Sequence, residues 1–192
     1  VNQIKASLQR LRGLFQHPGR YFSDPEVTIW DGVIVICALF LMSFWQKLVW
    51  VNSLTTPIGP WAVLEKAAIN SLLIWCLFCA LFFAISGFFQ NRINLARLSG
   101  MVGSVGLPLV LTTFLSALTW SAALLFGLDT NSALWLTLQN ASSYIGLAFS
   151  WPGLFGFFLL HYGLKLSKGW AIALSGAAFL LFVVSPIIQL YA

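Results

Sequence analysis

Charge is what this sequence has least of. Only 8% of its 192 residues are Asp, Glu, Lys or Arg, where a soluble globular domain carries roughly a quarter. A water-soluble fold of this size would have nothing polar to cover its surface with. Acidic residues number five and histidines two, and no paired carboxylates, nucleotide-binding loop, catalytic triad or metal constellation occurs. The chain therefore reads as a non-enzyme with no predicted cofactor or metal. The three cysteines, Cys37, Cys76 and Cys79, all fall inside apolar runs, which excludes a disulfide framework. Cys76 and Cys79 share a helix face at i and i+3, but Trp75, Leu77 and Phe78 surround them, so they read as small packing residues. The ten basic residues are scattered rather than clustered, which argues against a nucleic-acid partner.

What the chain has is apolar surface: 59% of residues are hydrophobic, with nine Trp and 17 Phe. Runs of about 20 apolar residues read as membrane helices, because a helix satisfies its own backbone groups in lipid. The fold class is all-α, a polytopic bundle of five transmembrane helices spanning about 29–49, 67–89, 100–126, 144–164 and 169–191. Residues 1–28 form a separate amphipathic segment, and 29–192 the membrane domain. In the first segment Ile4, Leu8, Leu11 and Phe15 recur at helical spacing, with Lys5, Gln9, Arg10 and Arg12 between them. Such a helix lies in the headgroup plane or packs on the bundle's end, and His17-Pro18-Gly19 closes it. The first 27 residues have no continuous apolar core, so no signal peptide is expected. A short interfacial helix or loop is expected over the polar stretch Gly127 to Ser142.

Orientation follows from the basic residues. Lys5, Arg10, Arg12, Arg20, Arg92, Arg97, Lys165 and Lys168 fall on one side of a five-span layout, and only Lys47 and Lys66 on the other. Positive-inside bias then places the N-terminus in the cytoplasm.

Candidate functional positions lie mostly in the third span. Gly100, Gly103 and Gly106 permit close backbone approach, and Pro108 removes a helix hydrogen bond. Ser104, Thr112 and Ser116 continue a small, polar stripe that makes either a helix seam or the lining of a cavity. Small-residue seams are also expected from Gly153, Gly156 and Gly163 in the fourth span, and from Gly169, Ala173 and Ala177 in the fifth. His161, near the end of the fourth span, is ordinarily a packing residue; it is the one candidate ligand for a pigment or metal.

The order of these features resembles the Yip family, the Ypt/Rab-interacting membrane proteins. The matching parts are Leu14-Phe15-Gln16-His17-Pro18 with Tyr21-Phe22 before the first span, Gly100 to Pro108 opening the third, and the turn Tyr162 to Ala171. Without the long acidic N-terminal region of eukaryotic members, it is similar to a short, bacterial-type one. The resemblance implies a non-enzymatic membrane protein that shapes, organises or binds other membrane components. The reading is a scaffold, organiser or accessory subunit in a bacterial inner or internal membrane. Its partners would be lipids and other integral membrane proteins or further copies of itself, with bound lipid expected rather than a cofactor. The alternative is a small-molecule or lipid transport component, its path along Ser104, Thr112 and Ser116.

The charge count is tested by cysteine accessibility labelling at Asn94 and Ser167. Both sites should label from the side that holds the N-terminus; labelling from the opposite side alone would contradict the topology.

Overall fold

The computed structural model describes residues 2–52, 59–91, 93–127, 145–146, 148–151 and 153–191, and every regular element among them is helical. The expected interfacial segment at Gly127 to Ser142 lies outside the described residues, except Gly127 itself. Among the described residues eight α-helices follow in order: α1 Asn2–Gln16, α2 Pro18–Ser23, α3 Ile29–Asn52, α4 Pro60–Phe88, α5 Leu95–Ser104, α6 Leu107–Phe126, α7 Leu154–Phe158 and α8 Lys168–Tyr191. A π-helical turn, Leu159–Gly163, continues α7. Among the described residues three stretches are long and apolar enough to cross a membrane: Ile29–Val49, Pro60–Phe88 and Leu95–Phe126.

Local chemistry sets these boundaries. Pro18 opens α2, where its fixed φ suits a helix start and its missing N–H costs nothing. His17-Pro18-Gly19 therefore ends one helix and begins another, where the sequence suggested only a stop. Thr28 caps α3: its N–H donates to Asp31 Oδ2 at 2.8 Å, the carboxylate half of a capping box. Asn94 caps α5 by accepting the Ala96 N–H at 2.8 Å. The expected third span is two helices rather than one bent one. Val105 and Gly106 form a turn, and Pro108, buried, sits in the first turn of α6. The expected fourth span is likewise interrupted, by non-helical backbone at residues 150, 151 and 153.

The centre of the bundle is α3, which packs on α1, α4, α5 and α6. Its contact with α5 is made by glycine. A Cβ on Gly100 would collide with the Thr28 carbonyl, and one on Gly103 with Gly32 Cα, with the Gly32 carbonyl oxygen 2.9 Å away. From the other side, a Cβ on Gly32 would lie 2.6 Å from the Ser99 carbonyl oxygen. Backbone meets backbone, so Leu98, Met101, Val102 and Val105 reach the core with 0% of their surface exposed. Gly106 instead makes room for the Trp151 ring, 3.1 Å from where its Cβ would stand.

The other small-residue rows behave differently. Gly153 and Gly156 face the preceding turn of their own segment, at Ala148 and Trp151, so they serve the bend and not a seam between helices. Gly163 does meet a neighbour, Met101 Sδ of α5 at 3.1 Å. On α8 the inward face is Ala171 and Ser175, whereas Gly169, Ala173 and Ala177 are exposed, and a Cβ on Gly169 would meet nothing within 4 Å. The expected seam there is displaced by about half a turn. Apolar periodicity on a helix that is apolar all round does not say which side faces in.

Gly103→Ala should lower stability in detergent by about 1–3 kcal/mol, the usual cost of overpacking. Gly176→Ala, whose added Cβ meets nothing, should be neutral or gain up to about 1 kcal/mol. Equal thermal midpoints for the two variants would contradict the backbone contact.

Candidate functional site

The densest polar chemistry lies where α1, α2, α3 and α5 meet. Asp31, in the first turn of α3, is fully buried. Arg10 reaches it from α1, donating from Nε to Oδ2 at 3.3 Å and from Nη2 to Oδ1 at 3.1 Å, and Nη2 also meets Ser7 Oγ at 3.1 Å. With the Thr28 N–H, the carboxylate is compensated from two elements. A carboxylate left alone at that depth would be very costly. This pairing holds the inner face of α1, Ser7, Leu11 and Leu14, on the bundle. Ile4, Leu8 and Phe15 stay exposed beside it.

Arg97 of α5 performs a similar role for α2. Its Nη2 donates to the carbonyl oxygens of Phe22 at 3.2 Å and Asp24 at 3.0 Å, groups that a helix end leaves free. Its buried Nε has no hydrogen-bond partner among the described residues. Between the two arginines, Tyr21 and Ser104 are 2.6 Å apart. Ser104 gives its one proton to the Gly100 carbonyl at 2.8 Å, so the phenol is the donor. Burial first, and then the Asp31 carboxylate, push the Tyr21 phenol well above its ordinary range, which keeps that donor protonated.

The turn between α5 and α6 creates a further acceptor. Gly106 N–H bonds the Gly103 carbonyl rather than that of Val102, and the Trp151 indole N–H takes Val102 O at 2.6 Å. Trp75 of α4 donates to Ser99 O at 3.0 Å. Asn91, in the α4–α5 link, donates to Leu164 O at 2.7 Å, and Gly19 of α2 lies against the Tyr162 ring. Thus α2, the α4–α5 link and the segment leading to α8 are tied together at one end.

The sequence-derived stripe is occupied from within. Ser104 is bound as above, Thr112 donates to the carbonyls of Pro108 and Leu109 at 3.2 Å, and Ser116 accepts from Gln46 of α3 at 2.7 Å. None of these three lines the cleft at Arg10 and Arg20, the hollow at Gly153 and Ser175 or the hollow at Ser86 and Asn91. His161 Nδ1 donates to Leu166 O at 2.8 Å, since a carbonyl can only accept, and its ring stacks on Phe157. It therefore fastens the turn after the π-helix. Among the described residues no group of three His, Cys, Asp or Glu stands ready to hold a metal.

Sequence reasoning missed Asp31, Arg97 and Trp151. Asp31 had one visible signal, a carboxylate just inside an apolar run, downstream of a basic amphipathic helix. Compared with protein-family models, with curated proteins and with solved structures, the chain matches none.

Removing one partner of a buried ion pair typically costs about 3–5 kcal/mol, and replacing both by apolar groups much less. Arg10→Met should therefore destabilise the protein strongly, and Arg10→Met with Asp31→Leu should recover part of that loss. A double variant less stable than Arg10→Met, measured by denaturation in detergent, would contradict the assignment.

Proposed function

We propose that this chain is a non-enzymatic integral membrane scaffold or accessory subunit of the Yip-like type. It has five spans, its N-terminus in the cytoplasm, and a bacterial inner or internal membrane as its home. The observation that carries the reading is the closed hydroxyl stripe: Ser104, Thr112 and Ser116 are all bonded inside the chain. A transport path along that stripe would need those groups turned toward an open passage, so the transport alternative draws no support from them. In contrast, α4 turns Ile69, Leu72, Leu73, Leu77 and Leu81 outward, an apolar face suited to lateral packing in the bilayer.

The topology draws support from the tied end of the bundle. Arg97 bonds Asp24 O and Asn91 bonds Leu164 O. The N-terminal segment, the Arg92/Arg97 link and the Lys165/Lys168 turn are the three basic stretches that a five-span layout puts on one side. The exposed row Ile4, Leu8 and Phe15, with Lys5 and Arg12 next to it, suits a helix lying at the headgroup level.

A photo-crosslinking residue at Leu73, introduced into the full chain in its native membrane, tests the scaffold role. The expected product is one discrete protein adduct, seen again from Leu77 and absent from a site on the buried side of α4 such as Ala67. Lipid adducts alone from both outward sites, together with solute flux in liposomes carrying the purified chain, would refute the reading.

A further inference from the structure

Between α1 and α2 lies a cleft of about 200 Å³, room for roughly six waters at about 30 Å³ each. Its cations are Arg10 on α1 and Arg20 on α2, and the His17 ring lines it at the junction. Asp31 and Ser7 occupy Nε and Nη2 of Arg10, leaving Nη1 without a partner among the described residues. Arg20 forms no ion pair with any described residue, and the His17 side chain makes no capping bond to α2. The wall includes Gly13, where a Cβ would meet nothing within 4 Å, so the space is open to the helix backbone. Guanidinium groups presented this way suit phosphate oxygens.

One lining residue has the opposite sign. Asp24 is half-buried and held in place, its Oδ1 accepting the Glu26 N–H at 2.8 Å and its carbonyl oxygen held by Arg97 at 3.0 Å. Its Oδ2 has no hydrogen bond among the described residues. A simple anion would be repelled by this carboxylate, whereas a zwitterion satisfies both signs. We propose that the cleft binds a phosphate ester carrying a primary ammonium, the phosphoethanolamine group, with phosphate at Arg10 and Arg20 and ammonium at Asp24. A quaternary ammonium could not donate a hydrogen bond to Asp24, so a phosphocholine group should bind less well. The group can come from a lipid headgroup, given the exposed apolar row on α1, or from the free ester. The proposal is independent of the scaffold role, since an empty cleft would leave the crosslinking result unchanged.

The test uses the full chain in two arms. In nanodiscs, retention of phosphatidylethanolamine, phosphatidylglycerol and phosphatidylcholine is compared by native mass spectrometry; in detergent, soluble phosphoethanolamine is titrated against the purified protein. Phosphatidylethanolamine should be retained best and phosphatidylcholine least. Arg20→Gln should cut retention of the first two about fivefold or more. Asp24→Asn should keep phospholipid binding and erase the preference for ethanolamine over glycerol. Gly13→Leu, which fills the cleft, should abolish binding without lowering the thermal midpoint, and Lys168→Gln should have no effect. A lipid preference in nanodiscs assigns the headgroup as the source, and saturable, Arg20-dependent binding in the soluble arm alone assigns the free ester. Absence of both overturns the proposal. So does an Asp24→Asn variant that keeps the ethanolamine preference, or a Lys168→Gln loss equal to that of Arg20→Gln, which would mark a general surface charge effect.

Discussion

The contact between the start of α3 and the body of α5 is made without side chains, and most of the bundle is arranged around it. Gly32 faces Gly103, and Gly100 faces the carbonyl of Thr28. A contact of this kind fixes two helices more tightly than interdigitated side chains do, because rigid backbone has no rotamer to yield. It also fixes depth. With Gly103 seated on Gly32, Ser104 comes to Tyr21, Arg97 to the end of α2, and Val102 O to the Trp151 indole. Three segments, α3, α2 and the turn at Trp151, are thereby registered by one run of α5 that carries two glycines. In water those glycines would weaken a helix by roughly 1 kcal/mol each relative to Ala, and the close approach offsets that cost.

The Arg10–Asp31 pair has a different part. Buried ion pairs contribute little net stability compared with apolar packing, but they tolerate few alternative arrangements. Asp31 is simultaneously the capping carboxylate of α3 and the partner of α1, so the entry of the first long helix and the seat of the amphipathic helix are set by one side chain. With α1 anchored by its polar flank, Ile4, Leu8 and Phe15 remain on the outside. The cleft against α2 is a product of the same placement: Arg10 is shared between its buried partner and the open space.

Length and apolarity made α3 and α4 readable from the sequence, because an apolar run of that length with its few charges near its ends has few alternatives to a membrane helix. The Gly100 to Pro108 stretch was readable as a close approach and a break, although the break proves to be a turn between two helices. What remained hidden depends on separation along the chain or on facing. Arg10 and Asp31 are 21 residues apart, and nothing local links them. The α2 helix follows a His-Pro-Gly sequence that reads equally as an end and a beginning. Gly153 and Gly169 look alike in sequence, yet one crowds its own preceding turn and the other faces open space. The hydroxyls of Ser104, Thr112 and Ser116 were legible as a stripe, but their partners lie on α2 and α3 and in their own helices. His17 and Arg20 gained meaning only when α2 folded back beside α1.

The central claim is that Gly32 and Gly103 touch each other, and a double-mutant cycle between them tests it most directly. The stabilities of Gly32→Ala, Gly103→Ala and the double variant would be measured by reversible unfolding under one set of detergent conditions. If each added methyl group forces the same two backbones apart, the second substitution meets a gap that the first has already opened. The double variant should then lose markedly less stability than the sum of the two single losses. Losses that add to within about 0.3–0.5 kcal/mol, as for sites that share no contact, would contradict the account.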